Sequence, residues 1–125
     1  MHNLSTNRRT LLYAQLAVLV LLTFLDIYLG VYDSYYWRYP WFDVVTHING
    51  GVWAACFASW LFALRGIRPQ FFYCLLIVFA IGVAWEIFEA AVGLTQFPED
   101  LLDTIMDLCN DVIGGALALG FMLLL

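Results

Sequence analysis

Four apolar stretches divide this chain of 125 residues and leave it little choice of fold. They run from about residue 11 to 30, 43 to 64, 71 to 94 and 101 to 125. At a rise of ~1.5 Å per residue, each is long enough to cross a hydrocarbon core ~30 Å thick. A backbone in lipid must satisfy its own hydrogen bonds, so only helices and closed barrels cross a bilayer. None of the stretches alternates polar with apolar, which excludes barrel strands. The expected fold is all-α: a single domain over residues 1–125, built as a four-helix transmembrane bundle. The short polar breaks make successive helices antiparallel. With 64% of its residues hydrophobic, the chain stands well above a soluble domain, which runs near half apolar.

Charge orients the bundle. All five cations are arginine, and the net charge is −5, which argues against nucleic acid as a partner. Arg8 and Arg9 precede the first stretch, and Arg65 and Arg68 lie between the second and third. Arg38 alone falls between the first and second. The positive-inside rule then puts both termini in the cytoplasm. Tyr32, Tyr35, Tyr36, Trp37, Tyr39, Trp41 and Phe42 form an aromatic belt at the opposite interface. No A-x-A site follows the first stretch, so it reads as a retained helix rather than a cleaved leader. Cys56, Cys74 and Cys109 are dispersed within apolar runs and read as small buried hydrophobes. Cys109, beside Asn110, is the one thiol placed to act as a metal ligand.

Against this background the acids stand out. Asp26, Asp43, Glu86, Glu89, Asp103, Asp107 and Asp111 lie in or beside the apolar stretches, with His47 among them. A charge at the centre of a membrane costs roughly 2.5–3.5 kcal/mol on insertion scales. Such groups must be paired, protonated, hydrated or bound to a cation. Asp43 and His47 are four residues apart and share a face; Glu86 and Glu89 are three apart and do the same. Asp103, Asp107, Asn110 and Asp111 form one stripe on the fourth helix. In the expected topology all these groups lie at one depth, in the outer half of the bundle. The inner half, from Leu75 to Ala84 and beyond Gly115, holds nothing titratable.

Hard oxygen donors with one imidazole suit a divalent cation. The candidate ligands are Asp43, His47, Glu86, Glu89, Asp103, Asp107, Asn110 and Asp111. Duller roles compete. Asp43 and Asp103 fit helix starts, Asp26 fits an ion pair with Arg38, and the rest could form a satisfied polar knot. Glu99 and Asp100 read as solvated loop charges. Gly50, Ala54 and Ala58 on helix two, with Gly114–Ala118 and Ala116–Gly120 on helix four, fit close helix packing.

The run Trp41-Phe42-Asp43-x-x-x-His47-x-x-x-Gly51, then Trp85-Glu86-x-x-Glu89, then Asp100-x-x-Asp103-Thr104-x-x-Asp107, resembles the YjdF-type bacterial inner-membrane proteins. The ending Asp107-x-x-Asn110-x-x-x-Gly114-Gly115 is similar to the VanZ-like proteins. The likeness covers about residues 41–120. It implies a multi-pass protein of the bacterial cytoplasmic membrane, and the VanZ-like part implies a link to the outer face of the envelope and to glycopeptide resistance. Glu89 stands near where that family usually has glutamine, and the arginine that often follows the helix is missing, which weakens a phosphate-binding role. Three function classes are open. One is a cation-binding protein or enzyme acting on a lipid-linked envelope substrate. Another is a proton or cation transport or sensing element. The last is a structural accessory subunit whose polar knot only fixes the bundle; the transport reading would need a homo-oligomer or a partner subunit, because no titratable path continues through the inner half.

Overall fold

The computed structural model describes residues 7–124, and they are all helix and connecting loop. The expected extension of the last helix to residue 125, and residues 1–6 of the single domain, lie outside the described residues. Helix α1 spans Arg8–Thr23 and runs without a break into a π-helical segment, Phe24–Tyr32. A one-turn helix, α2, covers Tyr35–Arg38. Then come α3 (Pro40–Leu64), α4 (Phe71–Ala91) and α5 (Leu101–Leu124).

The helix ends follow local chemistry. The Asn7 side chain accepts from the Arg9 and Thr10 amides, so α1 begins ahead of its apolar run. Pro40 opens α3, where its fixed φ suits the first turn and its missing N–H costs nothing. Asp43 therefore lies inside the first turn of α3 and is not its cap, which is Tyr39. Gly66 and Gly93 follow α3 and α4 with φ of +69° and +82°, the left-handed conformation that ends helices.

Three helices are long and apolar enough to cross a membrane: α1 with its π segment, α4 and α5. Helix α3 is not among them, although it has 25 residues. The reason is its place in the bundle. It packs against α1, α4 and α5, and ten of its residues are buried, Gly51, Ala54, Ala55, Ala58 and Ser59 among them. A helix surrounded by protein needs less apolar surface than one facing lipid.

Contacts give the directions. His47 meets Asp111, and Gly51 meets Asp111 and Gly115, so α3 and α5 run parallel. Glu86 meets Thr104 and Val78 meets Gly115, so α4 runs against α5. At the α3–α5 crossing the backbones touch. A Cβ on Gly51 would overlap the Asp111 carbonyl, and one on Gly114 would overlap the Ile48 carbonyl. Gly50 and Gly120, by contrast, are not close-packed. A Cβ at Gly50 would meet only an Asp111 carboxylate oxygen at 3.7 Å, and one at Gly120 would meet nothing within 4 Å. The crossing thus uses Gly114, which spacing marked, with Gly51 in place of Gly50; Ala54 and Ala58 of the marked α3 face are buried, and Gly120 takes no part. Below it lies a dry core of Ala54, Ala55, Ala58, Cys74, Val78 and Leu119. Cys56 and Cys74 are buried, but Cys109 is exposed, because the buried stripe of α5 runs through Thr104, Asp107 and Asp111 instead.

Candidate metal centre and its cavity

The parallel packing of α3 on α5 brings residues 43 and 47 alongside 107 and 111. His47 is 7% exposed, Asp107 5% and Asp111 7%, so this is a buried group. The His47 Nδ1 lies 3.0 Å from Asp111 Oδ1. Its Nε2 lies 3.7 Å from Asp43 Oδ1 and 3.6 Å from Asp107 Oδ2. One imidazole thus faces three carboxylates from two helices. One donor atom each from Asp43, His47 and Asp107 falls within 4.8 Å of the others.

With an ionised Asp111, which can only accept, Nδ1 carries the proton between the two groups. In the neutral ring Nε2 then points a lone pair at two carboxyl groups, an arrangement that repels unless one of them is protonated and donates to the ring or a positive charge lies among them. A proton on Nε2 supplies one unit of that charge; a divalent cation supplies two. A carboxylate holding the far nitrogen of a histidine is also how metal-binding imidazoles are oriented.

Glu86 is buried more deeply, at 4% exposure, on α4. Its Oε2 accepts from Thr104 Oγ1 at 3.1 Å, while Oε1 is buried without a partner. Glu89, one turn on, is half-buried and accepts from Trp85 Nε1 at 3.0 Å and from Thr95 Oγ1 at 3.3 Å. The pair that spacing put on one face is therefore split: Glu86 faces α5, and Glu89 lines a cavity. Asp103 is exposed and Asn110 half-buried, and neither joins the Asp43–His47–Asp107 group.

That cavity, of about 600 Å³, opens beside the group. Asp26, Asp43, His47, Glu89 and Asp111 line its polar end, and Leu22, Trp53, Val78 and Ile81 line its apolar part. Asp26 does not pair with Arg38. It accepts a hydrogen bond from the Tyr36 hydroxyl, and Arg38 lies over the Tyr39 ring. The packing explains the exchange: Tyr36 is wedged edge-on against Phe42, next to the glycine at position 30 of the π segment. Burial, and then the bond to Asp26, push the Tyr36 phenol well above its ordinary range, so it stays a donor.

Asp26, which its position in the sequence suits to an ion pair with Arg38, instead lines the cavity from the π segment, a turn that leaves no mark in the apolar spacing. Thr104 could have been found: it stands three residues before Asp107 and seven before Asp111, on the same helical face.

The family model described as Predicted membrane protein (DUF2238) matches residues 3–125. The chain belongs to that family. It is thus a membrane protein in contact with the lipid bilayer, and three apolar helices suggest that it crosses more than once. No curated protein and no solved structure matches it.

Proposed function

We propose that this protein is a single-domain, four-span protein of the bacterial cytoplasmic membrane. In this reading its acidic cavity binds a divalent cation near the outer leaflet and takes a lipid-linked envelope substrate. The observation that carries the reading is the Nε2 face of His47, turned toward Asp43 and Asp107 while Asp111 holds Nδ1. The N–O separations of 3.6 and 3.7 Å approach the spacing of two ligands on one ion with bonds of about 2.1 Å. Asp43, His47 and Asp107 would hold the ion, and Asp111 would orient the imidazole. Glu86, Glu89 and Asp111 would add to the acidic environment, while Asp103 and the Asn110 amide stand outside the inner set. When bound, such an ion supplies Lewis acidity or an activated water.

The arginine distribution supports cytoplasmic termini and an outward-facing site. The resemblance to YjdF-type and VanZ-like proteins supports an envelope setting. The dry core under the site disfavours a conduit through one protomer, because a path for ions needs polar groups along its length.

Elemental analysis of the purified protein tests the ion site, with His47→Ala and Asp107→Asn as controls. About one divalent ion per chain, lost in both variants, is the expected result. Wild-type protein that retains no ion, and neither binds added Mn²⁺ or Zn²⁺ nor melts at a different temperature with them, would overturn it.

A further inference from the structure

The cavity has two carboxylates that the proposed ion site does not use. Asp26 stands on its α1 side and Glu89 on its α4 side. Helices α1 and α4 both line the cavity, yet among the described residues no Cα atom of one comes within 8 Å of a Cα atom of the other. That spacing leaves room for a lateral mouth facing the lipid chains.

The walls change character along that mouth. Asp26 and Glu89 mark one end. Leu19 lies seven residues, or ~10 Å, from Asp26 along its helix, and Val78 lies eleven residues, or ~16 Å, from Glu89. Leu22, Trp53 and Ile81 fill the interval. This is an acidic end with an apolar trough, the shape of an amphiphile. The charge at the acidic end has a definite sign. The hydrogen bonds to Asp26 and Glu89 come from Tyr36, Trp85 and Thr95, all neutral, and no arginine lines the cavity. Trp53 adds a further demand. Its Nε1–H is buried with no acceptor, ~9 Å along α3 from His47. A carbonyl a short way below a headgroup would satisfy it.

We propose that the cavity seats an acyl lipid whose headgroup carries a protonated amine, admitted between α1 and α4. The amine meets Asp26 and Glu89, one chain lies along Leu22 and Ile81, and an ester carbonyl accepts from Trp53. This deepens the ligand-binding half of the proposed function and is independent of the ion. A headgroup bearing only phosphate would be repelled by this rim unless an ion bridged it.

Native mass spectrometry of the full chain in detergent, offered equal phosphatidylethanolamine and phosphatidylglycerol of matched chains in EDTA, separates the cases. The amine lipid should be retained about tenfold over the other, a difference an ion pair at a half-buried site can supply. Asp26→Asn/Glu89→Gln should bring the two to parity. Ile81→Trp should remove both adducts by filling the trough without altering the acids. Helicity and gel-filtration profile check that each variant is folded. Equal retention by the wild type overturns the proposal. So does preference for phosphatidylglycerol that arises only with added Mn²⁺, which would place a phosphate on the ion. An amine preference in protein that binds no ion would sink the ion site and leave this proposal standing.

Discussion

His47 and Glu86 meet the same problem, a buried polar group among acids, in different ways. His47 has a carboxyl group facing each nitrogen; Glu86 has one donor, Thr104, and one bare oxygen. Removing that donor should cost more than a hydrogen bond. Thr104→Val is expected to lower stability by about 1–3 kcal/mol, because the carboxylate then stays buried with nothing to hold it. Thr104→Val/Glu86→Leu should recover most of the loss, since an apolar pair leaves nothing unsatisfied. Thermal melts in detergent would show the recovery, and its absence would mean that Glu86 holds more than Thr104. Tyr36 gives a pH prediction. Its pKa is raised in the folded state, so its contribution to stability is fully present below the unfolded value near ~10 and falls as pH rises above it. Comparison of wild type with Tyr36→Phe by ultraviolet titration should find no phenolate from this residue between pH ~9 and ~11, on either side of the ordinary phenol value.

The α3–α5 crossing decides the site at the level of elements. Gly51 and Gly114 let the two backbones meet, and only that approach brings Asp43 and His47 against Asp107 and Asp111. Gly51→Ala should therefore destabilise by about 1–3 kcal/mol, as overpacking does when backbone must move. It should also weaken ion binding, although residue 51 is no ligand. Gly120→Ala has open space around it and should be neutral or stabilising by up to ~1 kcal/mol, since alanine favours helix. Equal effects of the two substitutions would count against the crossing. The π segment acts at the same scale. It swings Asp26 toward the cavity, where Tyr36 from the following one-turn helix fixes it.

For the molecule as a whole, the distribution of function is lopsided. Acids and aromatic loop cluster toward one end, the cavity runs inward from them, and an apolar core that shares Ala54 and Val78 with it lies below. Single cysteines placed at Ser34 and Arg65, in a chain lacking its native thiols, should react with impermeant reagents from opposite sides of the membrane. Ser34 is expected to label from outside. Labelling of both from one side would refute the four-span topology. Helix α3 shows how far whole-molecule context matters: its hydropathy alone falls short of a span, and its central place explains why.

The sequence by itself determined the helical, membrane-embedded class, because lipid permits few backbones and apolar length is visible residue by residue. It also marked the pairing of Asp43 with His47, since residues four apart on a helix share a face whatever surrounds them. Only the tertiary structure decided which acids meet. Selecting Asp107 and Asp111 over Asp103 and Asn110 depends on the rotation of α5 against α3, which the glycine contacts set. Sending Glu86 inward and Glu89 to the cavity depends on where α4 lies, and recruiting Asp26 depends on a π turn. Local spacing holds none of these, because each is a relation between helices rather than within one.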